Sequence, residues 1–116
     1  MINLNTHPSL TCNPNGIAPS QRESHARLIA ELFQKIQSLR ELEHGFEFEF
    51  ASESTTILNI AEFISNERLC CPFLNFNLEV ESETKFVKLI LTGPQGTQEF
   101  LRAEFGDDLP AMQTSG

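Results

Sequence analysis

Residues 46–50 read Phe-Glu-Phe-Glu-Phe, and this alternation constrains the fold more than any other stretch. A side-chain period of two belongs to a β-strand. A dry face opposite a carboxylate face belongs to a sheet covered on one side, as antiparallel sheets commonly are. Two later stretches repeat the pattern. Residues 73–80 set Leu74, Phe76, Leu78 and Val80 against Asn75, Asn77 and Glu79, and residues 85–92 turn Val87, Leu89 and Leu91 inward. The polar run Glu81-Ser82-Glu83-Thr84 connects these two as a hairpin.

Helical patterns separate the strands. Ser20 with Glu23 matches a capping box, and Ala26, Ile29, Leu32, Phe33, Ile36 and Leu39 recur at the spacing of one helical face. With Gly45 as its left-handed end, this predicts a helix over about 20–43. Polar residues 52–55 open a second helix carrying Ile57, Ile60 and Ile64, with Leu58 and Phe63 flanking, that runs to Leu69 or Cys70. Pro72 then forces Cys71 into an extended conformation. Gly93-Pro94-Gln95-Gly96 turns the chain into a last helix near 97–105, burying Phe100, Leu101 and Phe105.

A brief edge strand over residues 9–12 completes the order β-α-β-α-β-β-α. The fold class is α+β: a two-layer sandwich with an antiparallel or mixed sheet of three to four strands and helices on one face. Residues 1–19 form an irregular segment with that short strand, 20–105 a single domain, and 106–116 a flexible tail.

At 116 residues the chain can bury a core without disulfides or a structural metal. Sixteen acidic and 8 basic residues give a formal charge of −8, and the basic residues are scattered singly. Nucleic-acid and anionic-membrane partners are therefore disfavoured. No apolar run approaches the ~20 residues that span a bilayer. Residues 1–5 lack the features of a secretory signal. Three cysteines do not make a self-contained disulfide framework, so a cytoplasmic setting with free thiols is the simpler expectation.

The chemistry concentrates in Glu67-Arg68-Leu69-Cys70-Cys71-Pro72-Phe73. Vicinal thiols are oxidisable and bind metals, and these stand at a helix-to-strand junction. Glu67 precedes Cys70 by three residues and Cys71 by four, so all three share a helix face if the helix reaches them. Arg68 favours a thiolate, whereas a helix C-terminus disfavours one. Against this stands the ordinary role of cysteine as a small buried hydrophobe.

Cys12 is the third thiol, and pairing of the N-terminal run with the sheet would bring it to the pair. Three thiolates suit soft ions such as Hg(II), As(III) or Cu(I). Adding His25, at the edge of the first helix's apolar stripe, makes a Cys₃His set suited to Zn(II). His25 also has an ordinary reading, as a half-buried histidine bonded to a carbonyl or carboxylate. His44, near the expected helix end, is a dipole partner, and Glu47 and Glu49 are solvated carboxylates.

Leu10-Thr11-Cys12 with Arg22 and His25, the block 67–73 with Phe76, and Leu91-Thr92-Gly93-Pro94-Gln95-Gly96 together resemble a group of small uncharacterised bacterial proteins. Segments like the 67–73 block resemble material near or fused to regulators of the mercury-resistance type. The resemblance implies a thiol-based metal or stress role and carries over Cys12, His25, Glu67, Cys70 and Cys71.

The leading expectation is thus binding of a soft metal or metalloid ion (Hg, As, Cu or Zn) by Cys12, Cys70 and Cys71 with His25 and Glu67. No organic cofactor is indicated, and a homodimer is compatible with it. The alternatives are a thiol-dependent redox enzyme and a protein-interaction domain with structural cysteines.

Overall fold

The computed structural model describes residues 13–106 together with 108 and 109. After one turn of 3₁₀ helix, Pro14–Gly16, the elements are α1 (Pro19–Phe33), β1 (Ile36–Leu42), β2 (Gly45–Ala51), α2 (Ser54–Cys70), β3 (Asn75–Val80), β4 (Phe86–Thr92) and α3 (Thr97–Phe105). The four strands form one sheet in the order β1-β2-β4-β3, with every neighbouring pair antiparallel. The fold is α+β, a four-stranded sheet with helices packed on one face.

The alternating stretch is β2, and it lies inside the sheet. Phe46, Phe48 and Phe50 are buried, as are Val87, Leu89 and Leu91 on the neighbouring β4. Glu47 and Glu49 face the other way. Glu47 is partnered by Arg40 at 2.9 Å and Lys88 at 3.8 Å, and the Arg40 hydrogen bond lowers its carboxyl pKa.

The first helix is shorter than its apolar spacing suggests. It ends at Phe33, and residues 36–42 form the fourth strand rather than two more helical turns. The cause is a register shift between Ile36 and Ser38, where Ile36 pairs with Phe50 and Ser38 with Glu49. An irregularity of this kind resets the side-chain alternation. Ile36 and Leu39, three residues apart, therefore both pack against the core, mimicking a helical period. Gly45 opens β2 instead of capping a helix, at a point where a Cβ would collide with the Leu91 carbonyl. His44 consequently occupies a hairpin turn beside Glu43. The expected edge strand at 9–12 lies outside the described residues.

The helix start differs in detail. Ala18 is the N-cap with no side-chain cap bond, and Pro19 takes the first helical position, which suits its missing N–H. Ser20 and Glu23 form no capping box. The last helix spans the expected 97–105, and beyond it Leu109 is buried against the core. Residues 110–116 lie outside the described residues.

Aromatic packing ties the layers together. Phe33 of α1 meets Phe48 of β2 at 5.6 Å, Phe63 of α2 at 5.7 Å and Phe105 of α3 at 5.2 Å between ring centroids. All four rings are buried, so this cluster fixes the three helices relative to the sheet. Among the described residues, no helix is long and apolar enough to cross a membrane.

Candidate metal centre

The buried stripe of α2 runs Thr56, Ile60, Phe63, Glu67, Cys70, a helical series of i, i+4, i+7, i+11 and i+14. It is rotated from the face expected from the isoleucines: Phe63 is central, while Ile57 and Ile64 are only partly buried. That rotation carries a carboxylate inward, and Glu67 is 2 % exposed.

Such a carboxylate requires partners. His25 of α1 supplies one, with Nε2 2.8 Å from Glu67 Oε1. The imidazole stacks on Phe63 at 6.0 Å, which fixes its plane. His25 Nδ1 is buried and has no hydrogen-bond partner among the described residues.

The helix ends as Pro72 requires. Cys71 leaves helical geometry at φ −123° and ψ 74°, while its N–H still donates to the Glu67 carbonyl at 2.8 Å. One further turn is held by the Leu74 N–H donating to the Cys71 carbonyl. The Cys70 carbonyl accepts from the Asn13 N–H at 2.6 Å, so the described chain begins against the thiol pair. Gly16 permits this approach, since a Cβ there would collide with the Leu69 carbonyl.

The result is a close group of soft and hard donors. Cys71 Sγ lies 3.2 Å from Glu67 Oε2, Cys70 Sγ lies 3.8 Å from Oε1, and the two sulfurs are 3.9 Å apart. One ligand atom each from Glu67, Cys70 and Cys71 falls within 4.8 Å of the others, and all three residues are buried. This set is able to coordinate a metal ion. Cys70 is a free thiol and Cys71 is disulfide-bonded. At 3.9 Å the two are not bonded to each other. Cys71 therefore serves as a thiolate ligand only after reduction.

Acidic groups outnumber basic ones around the cluster, where Glu67 and Glu104 share one recess with Arg22. Burial pushes the Cys70 thiol up to about 11, with the Glu67 charge and hydrogen bond adding to it. Partial desolvation raises the carboxyl pKa of Glu104, an exposed residue of α3, with help from the Glu67 charge. A cation placed among these groups would relieve each repulsion.

Of the expected site residues, the structure thus unites Glu67, Cys70 and Cys71. His25 stands one bond behind them, through Glu67. Cys12 lies outside the described residues. Glu104 was not singled out in the sequence, where it reads as a surface carboxylate of an amphipathic helix. Only the packing of α3 against α1 and α2 brings it near.

The fold and the site define an α+β domain with a buried Glu-Cys-Cys cluster at the end of its second helix. Comparison with protein-family models, with curated proteins and with solved structures finds no match to this chain.

Proposed function

We propose that this domain binds a soft metal or metalloid ion through the thiolates of Cys70 and Cys71, with Glu67 as an oxygen donor. The observation that carries the reading is the approach of three ligand atoms within 4.8 Å at one helix end. Thiolates select soft ions over Mg(II) or Ca(II), which favours Hg(II), As(III), Cu(I) or Zn(II). A cytoplasmic resistance or stress role, as the resemblance of the 67–73 block implies, fits such a capture site. Cys12 would add a third thiolate. His25 orients Glu67 through Nε2, the kind of support that metal-ligating carboxylates commonly have.

Each thiol loses its proton as the ion binds, so affinity rises with pH. The test is stoichiometric titration of the reduced protein, without oxygen, with each of the four ions. Tight one-to-one binding of at least one of them is expected. Full affinity in the Cys70→Ser, Cys71→Ser double variant would refute the reading.

One observation favours a second reading, a thiol–disulfide enzyme: a free thiol stands 3.9 Å from a sulfur already in a disulfide. The Cys70 thiol opposes it. With a pKa near 11, its thiolate is scarce at neutral pH, and an attacking thiol works best with a pKa near ambient. A soft metal ion must displace the same proton, but its bond to sulfur offsets that cost. Rapid exchange of the disulfide with a small thiol, dependent on Cys70, would favour the enzyme.

A further inference from the structure

Cys70 forms part of the wall of a recess of about 300 Å³ between α1, α2 and α3. Ile17, Ala26, Ile29 and Phe105 make the wall largely apolar. Glu67, His25 and Glu104 face the same space, and Arg22 closes one side, where its Nε donates to the Ile17 carbonyl at 3.2 Å. A bare ion needs no apolar chamber beside its ligands. An apolar cavity with a few convergent polar groups is instead the usual form of a site for an organic molecule.

We infer that the recess receives the organic group of an organometal cation R–M⁺, whose soft metal atom is captured by the Cys70 sulfur. This deepens the metal-binding reading and rests on it.

Three features on different elements agree with such a ligand. Cys70 is the free thiol of the pair, and a metal already bonded to one carbon needs a single thiolate to complete a linear C–M–S arrangement. Glu67 and Glu104 outnumber Arg22 among the carboxylates and guanidinium that line the recess, which favours a cationic guest over an anionic one. His25, only 6 % exposed, lines the same recess, and its Nδ1 has no hydrogen-bond partner among the described residues.

For a phenylmercury probe the step is Cys70–S–H + C₆H₅–Hg–OH → Cys70–S–Hg–C₆H₅ + H₂O. The S–H and Hg–O bonds break, and the S–Hg and O–H bonds form. The thiol proton leaves on hydroxide, and no atom changes oxidation state.

The experiment uses the reduced full-length protein, with phenylmercury hydroxide, methylmercury hydroxide and Hg(II) as separate probes. Each competes against an excess small monothiol, and intact-mass spectrometry reads occupancy. Relative to the monothiol, the protein should favour phenyl over methyl by roughly tenfold, the equivalent of burying about 55 Å² of additional apolar surface. Ala26 is an exposed α1 position on the recess, so Ala26→Phe fills the space without disturbing the core. That variant should lose the phenyl preference and keep wild-type Hg(II) occupancy. Cys70→Ser should abolish the preference, and Cys71→Ser should retain it.

Equal corrected affinities for phenyl and methyl, or a preference that survives Ala26→Phe or Cys70→Ser, would overturn the inference. The metal-binding reading would stand in that case if Hg(II) were still held. Loss of Hg(II) binding together with both organic probes would instead end both.

Discussion

Replacing Glu67 by Gln removes a negative charge 3.8 Å from the Cys70 sulfur and keeps the side chain's shape and an oxygen for His25. Two unit charges at this separation interact by about 1 kcal/mol at the dielectric of water and about 4 kcal/mol at an effective constant near 20. Burial is the largest cause of the raised thiol and is unchanged by the substitution. The smaller figure is therefore the safer guide, and it lowers the thiol by about 0.8 pKa unit. At about pH 8 the thiolate fraction then rises about sixfold, while intrinsic nucleophilicity falls about twofold with basicity, leaving alkylation about threefold faster. Peptide-resolved iodoacetamide labelling of Cys70 in wild type and Glu67→Gln measures this, with thermal melts to confirm that both are folded. An unchanged rate profile would refute the reasoning, because burial alone would then hold the thiol at about 11.

The same thiol makes stability fall in alkali. Its folded pKa lies above the ordinary value, so its contribution is complete below about pH 8.5 and disappears as the pH rises through about 11. Urea unfolding across that window should show the loss in wild type and a shallower one in Cys70→Ala; parallel curves would contradict it. His25→Ala removes the imidazole bonded to the buried Glu67 and should cost about 3–5 kcal/mol in urea unfolding, most of it recovered in a His25→Ala, Glu67→Leu pair. Phe63→Ala empties the meeting point of the three helices and should cost about 3–5 kcal/mol by the same measurement. Gly16→Ala drives a methyl into the Leu69 carbonyl and should cost about 1–3 kcal/mol, read as a fall in melting temperature.

Strands with clean alternation were legible because their period was undisturbed: β2, β3 and β4 begin and end within two residues of the alternating stretches 46–50, 73–80 and 85–92. Residues 36–42 were not, because the irregularity at Ile36–Ser38 places inward residues three apart, and one sequence cannot separate that from a helix. Pairing with the aromatic β2 decides between them, and it is a tertiary effect. The end of α2 was legible from Pro72, a local steric rule. The grouping of Glu67 with Cys70 and Cys71 followed from spacing alone. The depth of Glu67 did not, since the isoleucines suggested a different buried face. His25 was expected to bond a carbonyl or carboxylate, but that its partner is Glu67, 42 residues later in the chain, was not legible.

Because the chain changes direction between them, Cys70 travels with α2 while Cys71 travels with the turn into β3. An ion gripping both sulfurs would act as a rivet between the helical layer and the sheet edge. Loading would then raise the melting temperature with ion concentration. It would also slow amide exchange at the last turn of α2 and the first residues of β3 together, since neither could open without releasing the ion.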